Sequence, residues 1–198
     1  MAVSERLRAF LGEAKVKYTA AKHPTAYTAQ EIAASQHVPG RQLAKCVLVN
    51  TNRGPLLAVL PAIHRIDVKR LKTVAGTHTL TIAKEADIKR CFPDVDIGAM
   101  SPFGNLYTIP VIVDRSLSES ENIVFNAGSH TDTISMSYRD FAALVKPKVG
   151  SFGQPFPGAV RRRTPARRVA RAATSRTRRP TATRARPRRK TSSARKRS

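Results

Sequence analysis

The sequence predicts one α+β (mixed α/β) domain followed by a basic tail, on three observations. Short β-rich runs and amphipathic helical stretches are intermixed through residues 1–147 with no regular repeat, so the strand–helix alternation of a wholly parallel sheet is not maintained. The chain has 198 residues, within the roughly 100–200 that usually make one domain. The charge is also uneven: 36 Lys and Arg face 13 Asp and Glu for a formal net charge of +23, and 17 of the basic residues but none of the acids lie in 161–198.

Leu7, Phe10, Leu11 and Ala14 recur at helical spacing behind Ser4, a candidate N-cap, and predict an opening helix over 4–15. Residues 16–22 read as extended. Thr28-Ala29-Gln30-Glu31 is a capping box, in which hydroxyl and carboxylate each satisfy an amide left over by the first turn. It predicts a helix to about His37, ended by Pro39-Gly40. Leu43–Asn50 and Leu56–Pro61 are β-rich runs separated by Asn52-Arg53-Gly54-Pro55, a hairpin signature. Asp67 can cap a helix bearing Val68, Leu71 and Val74, with Gly76 placed to end it. Thr79–Ile82 reads as a strand and 84–92 as a helix. Ile109–Val113, Ile123–Asn126 and Thr133–Met136 are further short strands, and Ser137-Tyr138-Arg139-Asp140 opens a last helix to about Val145. Residues 148–160, rich in Pro and Gly, read as a linker.

Several function classes lose their usual signatures. No run approaches the ~20 apolar residues that cross a bilayer, and the charged N-terminus lacks a signal peptide's apolar core, so a cytoplasmic protein without membrane partners is expected. Cys46 and Cys91 show neither CxxC nor Cys/His ligand spacing and read as buried free thiols, with no metal site. GxSxG, Walker, GxGxxG and HExxH motifs are all missing.

Three segments could carry chemistry. Lys45, in Leu-Ala-Lys-Cys-Val-Leu-Val, shares a strand face with Leu43, Val47 and Val49. Either it snorkels to water from the strand end, or it is an ammonium that binds an anion or ester, with a pKa open to lowering. Gly98-Ala99-Met100-Ser101-Pro102-Phe103-Gly104 breaks the apolar pattern. It is either a tight turn or a loop whose exposed amides hold a carbonyl or oxyanion. Phe125-Asn126-Ala127-Gly128-Ser129-His130 is a polar break between strands, where Asn126 offers an amide and His130 a base or donor; a lone loop histidine is also commonly just solvated.

Taken together, His23-Pro24 with Thr28–Glu31, Leu43-Ala44-Lys45, Gly98 through Gly104, and Phe125–Gly128 resemble the YbaK/prolyl-tRNA synthetase-associated editing domain, in order and spacing, over residues 1 to about 147. The resemblance implies a mixed β-sheet curled into an open barrel-like core flanked by helices. It also implies an aminoacyl-tRNA deacylase that hydrolyses the ester of a tRNA mischarged with a small amino acid. Members act in trans or as a domain inserted in a synthetase, so the implied partners are a mischarged tRNA and an aminoacyl-tRNA synthetase; no cofactor is implied. Carried over, Lys45 matches the family's functional lysine. Gly98, Ala99, Met100, Ser101 and Pro102 match its GxxxP loop, whose amides bind the aminoacyl carbonyl, with Gly104 just beyond. Asn126, Gly128 and His130 would border the pocket, and Tyr27 would lie near its mouth.

The tail lies outside the resemblance. From residue 161 its apolar residues are alanines and Val169, interrupted by Pro165, Pro180 and Pro187, too few to offset the entropy of ordering. The expectation is a disordered arm. Arg161, Arg162, Arg163, Arg167, Arg168, Arg178, Arg179, Arg188, Arg189 and Lys190 are its clustered cations. With no aromatic residue to stack on bases, it should bind phosphates of RNA or other nucleic acid with little sequence preference. A competing reading makes the whole chain a non-catalytic nucleic-acid-binding protein whose editing-like body is a ligand- or protein-binding module.

Overall fold

The computed structural model describes residues 3–26 and 28–156; Tyr27, the end of the expected linker and the arginine-rich tail lie outside them. In chain order the elements are α1 (Glu5–Glu13), β1 (Tyr18–Lys22), α2 (Ala29–Ser35), β2 (Ala44–Thr51), β3 (Gly54–Pro61), β4 (His64–Ile66), α3 (Val68–Ala75), β5 (Leu80–Ile82) and α4 (Glu85–Cys91). A 3₁₀ turn over Gly104–Tyr107 leads to β6 (Val111–Asp114), α5 (Arg115–Ser118), β7 (Asn122–Asn126), β8 (Asp132–Ser137), α6 (Tyr138–Val145), β9 (Lys148–Gly150) and β10 (Gly153–Pro155).

The fold class is the expected one. Five strands form a mixed sheet in the order β5-β2-β3-β6-β9, with β3–β6 and β6–β9 parallel and the other pairs antiparallel. A second, antiparallel sheet runs β1-β8-β7. The sheets meet at a parallel bridge between Leu43 and Val124, supported by the Val124 amide donating to Gln42 O at 2.9 Å. This seam curls the strands around one core without closing a barrel. Among the described residues no helix is long and apolar enough to cross a membrane.

β3 explains why the five-stranded sheet is buried on both faces. Its run Leu56-Leu57-Ala58-Val59-Leu60 is wholly buried, the near-continuous apolar pattern that pairing with a parallel neighbour favours. Leu57 and Val59 face the main core, where Phe103 meets Phe10, Phe125 and Phe141 at ring separations of 5.4–5.9 Å. Leu56, Ala58 and Leu60 face a second cluster with Val49, Leu71 and Phe152.

The caps read from sequence form with one exception, at Ser4. In α2 the Thr28 hydroxyl accepts from the Glu31 amide at 3.2 Å, and Glu31 accepts from the Thr28 amide at 3.1 Å. Asp67 and Ser137 accept from the amides of Arg70 and Asp140, and Gly76 ends α3 in the left-handed region at φ 67°. Ser4 does precede α1, but its hydroxyl donates to Asp94 at 2.9 Å rather than capping the helix.

One expectation is corrected. Residues 148–155, read as linker, carry β9 and β10, paired to β6 and β4. Proline and glycine misled here, because both glycines answer a packing need. A Cβ on Gly150 would lie 2.3 Å from Val74 Cγ1, and one on Gly153 would lie 3.0 Å from both Asp114 Cγ and His64 Nδ1. β4 and α5, of three and four residues, are too short to show a periodicity in the sequence.

Candidate active site

Lys45 is the second residue of β2, opposite Leu60, on the face that Val47 and Val49 turn toward the second core cluster. It is half-buried, and burial lowers its pKa from the usual 10.5. The seam at Leu43 and Val124 brings Asn126 level with it, because two residues further along each of two parallel strands are Lys45 and Asn126. Lys45, Gly98, Met100 and Asn126 wall one cavity of about 190 Å³ with Ile32, Leu43, Ala44 and Cys46. That is smaller than the roughly 300–1,000 Å³ of a drug-sized ligand pocket.

The loop bearing Gly98 is held to the β7–β8 connection along its length. Gly128 donates its amide to Ala99 O at 3.1 Å and accepts from the Asp96 amide at 3.0 Å. His130 Nε2 lies 2.9 Å from Ile97 O, and Asn126 Nδ2 donates to Gly98 O at 3.5 Å. Gly98 and Gly128 adopt φ of 88° and 103°, which glycine populates at no steric cost. At Gly128 a Cβ would also lie 3.0 Å from that of Ser4.

Within this loop the Ala99 amide donates to Asp96 O at 2.9 Å, whereas among the described residues no acceptor is recorded for the amides of Gly98 and Met100. Asn126 Oδ1 is buried with no hydrogen-bond donor among the described residues. The cavity lining thus combines Lys45, two residues of the glycine loop and Asn126 with apolar walls. The Cys46 thiol adds no nucleophile, since burial pushes its pKa up and away from the thiolate.

The remaining expected site residues are distributed differently. His130 packs behind Gly98, its Cε1 3.5 Å from where a Cβ there would sit, and so buttresses the loop. Ala99, Ser101 and Pro102 are buried behind the cavity wall. Gly104 does not reach the cavity either: a Cβ on it would fall 2.7 Å from Ile109 O and 2.8 Å from Val111 Cγ2, so its place is a close approach inside the core. Tyr27 and the tail cations Arg161–Arg163, Arg167, Arg168, Arg178, Arg179, Arg188, Arg189 and Lys190 lie outside the described residues. Reading the sequence missed Ile32, Leu43, Ala44 and Cys46 as cavity walls, because nothing in their own segments ties them to residues 98–126.

Two other features compete for attention and explain themselves differently. A larger cleft of about 680 Å³ runs between Val3–Arg6 and Pro93–Asp96. Its acidic lining, Glu5, Asp94 and Asp96, opposes a polyanion, and Asp94 already accepts from Ser4 and from the Tyr107 hydroxyl at 2.8 Å. Ser116, His64 and Asp114 have the composition of a hydrolytic triad. Here, however, the carboxylate bonds the serine and the amides of Phe152 and Gly153 in the strap formed by β9 and β10, and lies 3.9 Å from His64 Nδ1. A triad needs the carboxylate on the imidazole, so this cluster is a clamp. Burial, helped by the charge of Lys45 and opposed by Asp114, lowers the His64 pKa.

Comparison with known proteins agrees with this geometry. The family model of the aminoacyl-tRNA editing domain matches residues 23–144. The prolyl-tRNA editing protein ProX of Acetoanaerobium sticklandii is 25% identical over 158 residues, covering 77% of this chain and 96% of that protein. A proline–tRNA ligase of Fervidobacterium nodosum is 30% identical over 101 residues, 51% of this chain but 17% of the ligase. A solved structure described as a candidate trans-editing enzyme for prolyl tRNA synthetase superposes with a TM-score of 0.69 at 18% identity, over 78% of this chain and 98% of that one. With a match that takes in the strand carrying Lys45, the glycine loop and the β7–β8 connection, the chain belongs to the aminoacyl-tRNA editing domain family.

Proposed function

We propose that the protein is a trans-editing deacylase that hydrolyses the ester of a tRNA mischarged with a small amino acid. The observation that supports it is the cavity of about 190 Å³ that Lys45 lines together with Gly98 and Met100 of the glycine loop. Attack of water on an ester builds negative charge on the carbonyl oxygen. Fixed amides and an ammonium stabilise that charge more than they stabilise the neutral ester, which is the condition for lowering a barrier rather than tightening ground-state binding. The small cavity suits a small amino acid, and the name of the ProX relative makes tRNA for proline the first carrier to test.

In this reading Lys45 is an electrostatic residue. It holds the carbonyl oxygen or the adjacent ribose and phosphate, and the attacking water takes its place beside the substrate's own hydroxyl. Asn126, the polar side chain that lines the cavity beside Lys45, is assigned to the substrate's α-ammonium in this reading. Asn126→Ala should raise KM about 10- to 150-fold, the equivalent of about 1.5–3 kcal/mol for one hydrogen bond to a charged group, with kcat nearly unchanged in steady-state deacylation.

The basic tail supplies phosphate affinity in this reading. Truncation after Val160 removes 17 positive charges, each tail contact with a phosphate adding to the steepness of the salt dependence. The truncated protein should show a higher KM at physiological salt, a flatter dependence of KM on salt and an unaltered kcat. The decisive experiment is amino acid release from a panel of mischarged tRNAs, beginning with alanyl- and cysteinyl-tRNA for proline. Release by the wild type supports the deacylase; no release across the panel, with nucleic-acid binding intact, would favour the non-catalytic binder.

A further inference from the structure

The segment after α6 reaches Lys45. β9 adds to β6, Phe152 is fully buried in the second core cluster, and β10 pairs with β4 in the register Gly153–Ile66 to Pro155–His64. Asp114 Oδ2 accepts from the amides of Phe152 at 2.8 Å and Gly153 at 2.6 Å, and Phe152 O accepts from the Asp67 amide at 2.8 Å. One residue past β10 the Phe156 amide donates to Ile63 O at 3.4 Å, and the Phe156 ring lies with its centroid 4.9 Å from Lys45 Nζ.

Core packing does not account for this phenylalanine. It is 37% exposed and belongs to none of the buried clusters. Lys45, for its part, has no carboxylate within ion-pairing distance among the described residues. An aromatic face attracts an ammonium without neutralising it. A carboxylate in the same place would hold Lys45 as firmly but would cancel the charge that an anion or developing oxyanion needs.

We propose that Phe156 is a positioning residue for Lys45: the clamped strap presents its ring to the ammonium and keeps that ammonium at the cavity rim. The proposal rests on the reading of Lys45 as the substrate-facing cation, and its test separates the two. The variants are Phe156→Ala, Phe156→Leu, which keeps bulk but removes the π face, and Phe156→Tyr, which restores it. The first readout is the carbon-13 and proton NMR signal of Lys45 in full-length protein whose lysines are reductively dimethylated with labelled formaldehyde, assigned by its loss in Lys45→Arg. The second is steady-state deacylation.

The wild-type signal should be displaced upfield by the ring current, as should that of Phe156→Tyr, and should return to the ordinary lysine position in the alanine and leucine variants. In deacylation kcat should fall about 3- to 30-fold in both of these, the range expected of a cation–π contact, with KM changed less and Tyr restoring the rate. An undisplaced wild-type signal, or a leucine variant as fast as wild type, overturns the proposal. If even the wild type releases no amino acid, the deacylase reading fails by itself, while the ring-current shift still decides whether Phe156 orients Lys45.

Discussion

Lys45→Ala is expected to lower kcat for deacylation by about 10²–10³-fold, the loss typical of removing one preorganised group that stabilises an oxyanion, without destabilising the fold. The second half of that expectation follows from the site. Burial lowers the Lys45 pKa, so the folded state holds this ammonium at a cost, and truncation relieves it. A thermal melt should therefore show an unchanged or slightly higher Tm, which separates lost chemistry from lost structure. The pH dependence has a definite sign. The ammonium is present below its folded pKa and lost as pH rises through it. The Lys45-dependent part of the rate should therefore decline at a lower pH than the usual lysine value of 10.5. The comparison is wild type minus Lys45→Ala at each pH, which removes the rise due to hydroxide. A difference that stays constant through pH 10.5 would mean that the charge of Lys45 is not what the reaction uses.

The largest expected effect on stability is at Asp114, a residue outside the cavity. Its carboxylate is 3% exposed and accepts from the amides of Phe152 and Gly153 and from the amide and hydroxyl of Ser116. Asp114→Ala leaves the two strap amides without an acceptor, at about 1–3 kcal/mol for each donor, so a loss of about 2–6 kcal/mol should appear in denaturant unfolding. Burial acts to raise this carboxyl's pKa, but the Ser116 hydroxyl and the amides of Gly153, Phe152 and Ser116 outweigh it, and the net shift is downward from 3.8. A carboxylate whose folded pKa is depressed stabilises above its unfolded pKa, and that contribution disappears as pH falls through the folded value. Wild type should thus lose stability below about pH 4, where Asp114→Asn, with nothing to titrate, should show a flatter curve. Since Asp114 anchors the strap that ends in Phe156, the asparagine variant should also weaken deacylation at temperatures where it remains folded. Full activity with a released strap would separate the clamp from the site.

Local chemistry explains which elements were legible. The capping boxes and caps of α2, α3 and α6 are contiguous four-residue patterns whose partners are the neighbouring amides, so sequence and geometry coincide at Thr28–Glu31, Asp67–Arg70 and Ser137–Asp140. The Leu56–Leu60 run was equally plain, because burial on both faces writes itself into every position. β9 and β10 were hidden because their glycines are dictated by Val74, Asp114 and His64, all of them in distant segments of the chain. Ser4 shows the reverse: a residue of the right type for a cap whose hydroxyl is drawn off by Asp94, 90 residues further along.

The sequence by itself determined the α+β class, the caps and turns, the excess of positive charge and, through its resemblance, the family and the identity of Lys45 and the Gly98 loop as the pieces to examine. Tertiary structure alone decided which of those pieces share one cavity. The parallel bridge at Leu43 and Val124 sets Asn126 level with Lys45, and four contacts tie the Gly98 loop to the β7–β8 connection. It also carried Gly104 into the core and brought Phe156 onto the ammonium. Caps and periodicities act over a few residues and can be read along the chain. A cavity wall or a cation–π contact depends on which distant segments share a face, and that is set only when the sheets pair and the core closes.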